Sequence, residues 1–150
     1  MKNGSFVASA FLLWLALSGL NAPFSHAQNL RAATSSSYIE RGNEWFAKGE
    51  YARAESDFTL AIATDPSQAN AYYDRATVRF RLENFTGALA DFDRALQLNP
   101  RLVEAYVNRG GLRYKLGDLA GAISDSNQAL ALNPKLAAAW ANRGLARFSL

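Results

Sequence analysis

Three prolines, Pro66, Pro100 and Pro134, stand thirty-four residues apart in a chain of 150. A strict period of that length dictates a stack of small supersecondary units before any single residue is interpreted. Alignment of residues 69–102 with 103–136 leaves fourteen identities in thirty-four positions. Residues 35–68 fit the same frame, and a fourth unit opens at Ala137 and runs to Leu150. A unit this short cannot bury an apolar face alone, so each must lean on its neighbours.

The slots of the repeat have a helical reading. Tyr38, Tyr72, Tyr106 and Trp140 put an aromatic in an early turn of a first helix, and Gly42, Ala76, Gly110 and Gly144 follow four residues later, where a small residue admits a neighbouring helix. On a second helix Ala54, Ala88 and Ala122, then Ala61, Ala95 and Ala129, do the same seven residues apart, with Leu60, Leu96, Leu98, Leu130 and Leu132 supplying bulk. Gly49-Glu50, Glu83-Asn84 and Gly117-Asp118 mark the turn inside each unit, while Asp65-Pro66, Asn99-Pro100 and Asn133-Pro134 close its second helix. No alternating strand pattern competes, so the expectation is all-α, two antiparallel helices per unit.

This helix–turn–helix unit resembles the tetratricopeptide repeat. The first copy has Tyr38, Gly42, Trp45, Ala54, Phe58, Ala61 and Pro66 in the signature slots; the second has Tyr72, Ala76, Ala88, Phe92, Ala95 and Pro100; the third has Tyr106, Gly110, Ala122, Ala129 and Pro134. The resemblance covers residues 35–150 and implies an α-solenoid of antiparallel helix pairs in a right-handed superhelix, with the first helices lining a concave groove. Ser126 departs from the Phe58 and Phe92 slot and is expected to loosen the third unit.

A second departure is electrostatic. Arg41, Arg75, Arg109 and Arg143 occupy a slot where the family usually carries leucine, and Asp57, Asp91 and Asp125 recur sixteen residues after the first three. Either the arginines form a row that grips an anionic ligand, or Arg41–Asp57, Arg75–Asp91 and Arg109–Asp125 form a ladder pinning the two helices of each unit; the ladder is the reading adopted. Arg79, Arg113 and Arg147 have no acid repeating in a matching slot and are expected to be the freer cations.

On the groove side, Asn43, Asn70, Tyr73, Asp74, Thr77, Asn108 and Asn142 are the candidate peptide-binding residues, with Glu40 and Glu104 beside them. An asparagine offers both a donor and an acceptor, so a spaced row of them suits the backbone of an extended peptide. Some members of the family hold the terminal carboxylate of a chaperone tail through two lysines, two asparagines and an arginine. Those slots contain Ile39, Asn43, Asp74, Glu104 and Asn108 here, or, shifted by one unit, Tyr73, Thr77, Asn108, Ala138 and Asn142. Acids where cations are needed repel a carboxylate, so a neutral or basic partner segment is expected.

Several function classes fall away. The chain has no cysteine, and its one histidine, His26, falls in the segment expected to be removed by cleavage after Ala27, so neither a Cys–His nor a Ser–His–Asp site is expected. There is no phosphate-binding glycine loop followed by lysine and no HExxH, and no metal or cofactor is expected. Glu40 and Glu44 are the one pair of acids on a common helix face, read as solvated charges. Sixteen Lys and Arg against thirteen Asp and Glu give +3, too mild a surplus to argue for nucleic acid.

The two ends carry separate expectations. Only Lys2 is charged before Arg31, and Phe6–Leu20 is an apolar run too short for a spanning helix. Ser25-His26-Ala27 places small residues where a signal peptidase acts, so residues 1–27 are expected to be a secretory signal cut after Ala27, leaving a periplasmic or secreted protein with no membrane attachment. Residues 28–37 are expected to be a polar linker, and the repeat domain to span 38–150. At the other end, residues 137–150 are either a capping helix or a first helix awaiting its partner; Trp140, Leu145 and Phe148 favour the second. The functional expectation is a non-enzymatic scaffold that binds a partner's peptide segment in its groove. The rival is an assembly unit, the N-terminal part of a longer array, that self-associates or docks through residues 137–150.

Overall fold

The computed structural model describes residues 22–150, with side chains from Asn29 onward. Among the described residues there are seven helices: α1 (Ala22–Ala47), α2 (Tyr51–Thr64), α3 (Ala69–Arg81), α4 (Phe85–Leu98), α5 (Val103–Lys115), α6 (Leu119–Leu132) and α7 (Ala137–Phe148). No strand occurs among the described residues, and the all-α solenoid of helix pairs is borne out. Successive helices pack as antiparallel neighbours, α1 with α2, α3 with α4 and α5 with α6, and α7 lies against α6 and α5.

The turns explain why the period is strict. The residue two before each second helix is left-handed: Gly49 at φ 77°, Glu83 at 60° and Gly117 at 83°. Glycine takes this conformation at little cost, whereas Glu83 is strained by its own Cβ. The next residue caps the helix in two units, the side chains of Asn84 and Asp118 accepting from the N–H of Gly87 and Gly121. At the far end Asp65, Asn99 and Asn133 are extended, with φ of −139°, −135° and −141°, as a residue before proline prefers. Each of their Oδ1 atoms accepts the backbone N–H two residues on, at 3.0–3.2 Å, fixing the angle at which the next unit starts.

The core is built from small residues and a few large ones. Ala54, Ala61, Ala88, Ala95, Ala122 and Ala129 have no exposed surface, and Phe58 and Phe92 are buried against the first helix of their own unit. A Cβ on Gly42 would stand 2.7 Å from the Phe58 ring, which is why the helices meet at glycine there. The largest cluster joins the second and third units: Ala76, Ala88, Phe92 and Leu96 meet Ala105 and Leu112.

Three expectations need correcting. Residues 28–37 are helical throughout, within α1, and Ser35 is fully buried with its Oγ donating to the carbonyl of Ala61 at 3.0 Å. A run of small polar residues reads as linker in sequence, yet serine fits a close helix crossing when a carbonyl satisfies its hydroxyl. Leu60 and Leu132 are exposed, and the apolar contacts fall to Leu96 and Leu130. Ser126 is buried, its Oγ donates to the carbonyl of Ala122, and Gly110 lets that carbonyl approach within 3.4 Å of where a Cβ would stand. Finally, Arg79 and Arg113 are not free, as described below. The expected signal segment lies outside the described residues except for positions 22–27, which open α1.

Candidate functional site

The odd-numbered helices line a continuous concave surface with two depressions. The first, about 490 Å³, lies between α1, α3 and the start of α5, and takes in Glu40, Asn43, Asn70, Tyr73, Asp74 and Glu104. The second, about 370 Å³, runs over α3, α5 and α7 and is walled by Phe80, Val107 and Leu112 with Thr77, Asn108 and Asn142. A smaller hollow joins them beneath Asn43, Tyr73 and Thr77. The seven candidate residues therefore share one surface.

Their partners are unequal. Asn108 donates from Nδ2 to the Tyr73 hydroxyl at 3.0 Å, and Asn142 donates from Nδ2 to the Val107 carbonyl at 3.0 Å. Both bonds reach back to the preceding unit at the same repeat position, so each amide is anchored through its nitrogen inside the array while it lines the second depression. Asp74 occupies that slot in the second unit, where a carboxylate has no hydrogen to give. No salt bridge among the described residues reaches it, and burial pushes its carboxyl up to about 6. Burial likewise raises the Tyr73 phenol. Glu40 and Glu104 flank Asp74, so the first depression is acidic and short of cations.

The arginine slots lie on the other side of the first helices. Arg41 donates from Nε and Nη2 to the two oxygens of Asp57 at 2.6 Å each; Arg75 does the same to Asp91 at 2.8 Å, and Arg109 to Asp125 at 2.5–2.9 Å. The bond from Arg41 holds the Asp57 carboxyl below its usual range. Planar guanidinium against carboxylate suits this bidentate geometry. Each guanidinium also lies over the aromatic three residues before it, from Arg41 on Tyr38 at 5.4 Å to Arg143 on Trp140 at 4.2 Å.

Arg79 and Arg113, expected to be free, complete this network. Arg79 Nη1 donates to Asp91 at 2.9 Å and its Nε to Glu55 at 2.7 Å, while Arg113 Nη1 donates to Asp125 at 2.9 Å. Asp91 and Asp125 thus accept from two arginines one turn apart. Sequence reasoning sought an acid at a repeating offset for each arginine and missed that one acid serves both. The arginine slots reach backwards as well: Arg75 Nη1 bonds Thr59, Arg109 Nη1 bonds Asp93 and Arg143 Nη1 bonds Asn127, each sixteen residues earlier. With their guanidinium donors consumed in this way, Arg75, Arg79, Arg109 and Arg113 present no open anion site.

Among the described residues no cluster of His, Cys, Asp or Glu is placed to hold a metal ion, and no helix is long and apolar enough to cross a membrane. A family model of the tetratricopeptide repeat matches residues 39–102 and 73–136, together well over half of the chain. The chain belongs to the tetratricopeptide repeat family. That family is typically a non-enzymatic interaction module. The first such domain of Spaghetti (RPAP3), solved bound to the HSP90 peptide SRMEEVD, is similar at 29% identity and a TM-score of 0.77, covering 79% of this chain and 94% of that one. The tetratricopeptide domain of Arabidopsis OM64 follows at 27% identity and a TM-score of 0.77, over 80% and 99% of the two chains. The second domain of human RPAP3, solved with the HSP70 peptide SGPTIEEVD, has 28% identity and a TM-score of 0.72, over 79% and 97%. No curated protein matches the chain in sequence.

Proposed function

We propose that this protein is an exported interaction scaffold that holds an extended, neutral or basic segment of a partner protein along α1, α3, α5 and α7. The observation that carries the reading is Asp74: a part-buried carboxylate without a cationic partner, between Glu40 and Glu104 in the acidic depression. Desolvating a carboxylate is unfavourable unless a charge compensates it, and a lysine or arginine side chain of a bound segment supplies that charge. The second depression, walled by Phe80, Val107 and Leu112 with Arg81, Asn108 and Asn142 beside them, accommodates a neighbouring apolar residue and its backbone. Relatives solved with peptides support peptide capture as the mode. Their acidic EEVD tails are the wrong charge for this groove. Export is supported by the apolar run Phe6–Leu20 and the small residues Ser25 and Ala27; sequencing of the processed protein should then begin at Gln28.

The test uses two immobilised libraries of ten-residue peptides, one with a fixed central lysine and one with a fixed central glutamate. At pH 7.5 the lysine library is retained and the glutamate library is not. Retention falls at pH 5, because Asp74 takes up a proton below about 6 and loses the charge that attracts the lysine. Asp74→Asn lowers retention at pH 7.5 and removes most of the pH response, and Asn108→Ala with Asn142→Ala weakens capture at both pH values. Equal retention of the two libraries by the unaltered protein would reject the reading.

A further inference from the structure

Cations are unevenly placed along the concave surface. No lysine or arginine lines the first depression or the hollow beneath it. The second depression has one, Arg81, in the last turn of α3. Arg79, two residues before it, is engaged by Asp91 and Glu55. Arg81 is exposed, and no ion pair among the described residues involves it.

Asp74, Thr77 and Arg81 stand at positions i, i+3 and i+7 of α3 and therefore on one face of the helix. Seven residues are two turns, about 10 Å along the axis. Asp74 lines the first depression and Arg81 the second, with Thr77 between them at the edge of the second and of the hollow. The groove thus offers a carboxylate and a guanidinium at a set spacing, and neither neutralises the other. A basic side chain on Asp74 answers only half of this arrangement. The planar fork of Arg81 suits a carboxylate, while Glu40, Asp74 and Glu104 repel any ligand that is anionic throughout. The acid that meets Arg81 must therefore belong to a segment that also carries a cation.

We infer that the partner segment carries two opposite charges, a lysine or arginine set against Asp74 and an aspartate or glutamate three residues away set against Arg81. The spacing follows from chain geometry. In a polyproline-II segment residues i and i+3 face the same way, about 9 Å apart, which matches two turns of α3. Residues two apart span only about 6 Å and face different ways. This pairing rests on capture of a segment in the groove through Asp74, and adds to it the residue that the second depression reads.

The test is fluorescence anisotropy at pH 7.5 and low salt with the full chain and labelled ten-residue peptides. Each peptide has a central lysine and, three residues to one side or the other, glutamate, glutamine or a second lysine. On one of the two sides glutamate binds about three- to five-fold tighter than glutamine, the range for an exposed ion pair, and the second lysine binds more weakly than either. Moving the glutamate to two residues from the lysine loses the gain. Arg81→Gln removes the difference between glutamate and glutamine, and Arg81→Glu reverses the order so that the second lysine is preferred. Arg81 is exposed, so both variants keep the fold, which a thermal melt verifies. Glutamate no tighter than glutamine on either side overturns the pairing, as does a glutamate preference that survives Arg81→Gln. If no lysine peptide binds at all, groove capture fails and the pairing with it; if all bind alike, the pairing alone fails.

Discussion

Asp91 is the best place to measure what the charged network contributes. Its side chain is 6% exposed and accepts three bonds, two from Arg75 at 2.8 Å and one from Arg79 at 2.9 Å. Asp91→Ala leaves Arg79 its bond to Glu55, but leaves Arg75, itself 13% exposed, with the Thr59 hydroxyl at 3.2 Å and the Tyr72 ring. A guanidinium stranded in that position costs about 3–5 kcal/mol, which in a domain of this size lowers the melting temperature by roughly 10–20 °C. Asp57→Ala is the internal control: Arg41 is 52% exposed, so water replaces the lost carboxylate and the expected loss is only about 1 kcal/mol. Replacing both partners, Asp91→Leu with Arg75→Leu, removes the charge along with its counter-charge and should stay within about 2 kcal/mol of the parent. Urea titrations and thermal melts followed by helical circular dichroism give all three values. If Asp91→Ala proves no more costly than Asp57→Ala, or no more costly than the double leucine variant, the argument from stranded charge is wrong.

Two smaller perturbations test the geometry of the repeat. Glu83→Gly should raise stability by about 1 kcal/mol by urea titration, because position 83 sits at φ 60° where the equivalent residues are glycine; an unchanged or lower midpoint would mean that the Glu83 side chain makes up for its backbone strain. Gly42→Ala should destabilise by about 1–3 kcal/mol as its Cβ forces the Phe58 ring aside, while Gly144→Ala, with nothing within 4 Å, should stabilise by up to about 1 kcal/mol through helix propensity. Differential melts of the two variants should therefore move in opposite directions.

The period, the two-helix unit and the turn positions were legible because each rests on local backbone chemistry: proline after Asp or Asn, a left-handed residue, a small residue at a crossing. What escaped the sequence was the consequence of proximity. Arg79 looked free because no acid recurs at a matching slot, yet Asp91 sits between it and Arg75, an arrangement that only the stacked helices create. Ser35 looked like linker because a small polar residue has the same composition signature in a tether and in a tight crossing, and the Ala61 carbonyl decides between them. In the groove, the row of Asn43, Asn70, Asn108 and Asn142 was visible as a pattern, but that Asn108 spends its nitrogen on Tyr73 was not. Nor was the exceptional position of Asp74: an acid at an asparagine slot is unremarkable in sequence, and its desolvation follows from the neighbouring units.

The backward bonds of the arginines bear on how the array assembles. Arg75, Arg109 and Arg143 each hold the unit before their own, through a hydroxyl in Thr59, a carboxylate in Asp93 and an amide in Asn127. In a linear array with nearest-neighbour coupling, the ties at each junction decide which units open together. Charged ties span both inner junctions, from Arg79 to Glu55 between the first and second units and from Arg109 to Asp93 between the second and third. The first three units should therefore exchange their amide protons as one block, while α7, held to the unit before it by the uncharged Asn127 amide, should exchange ahead of them.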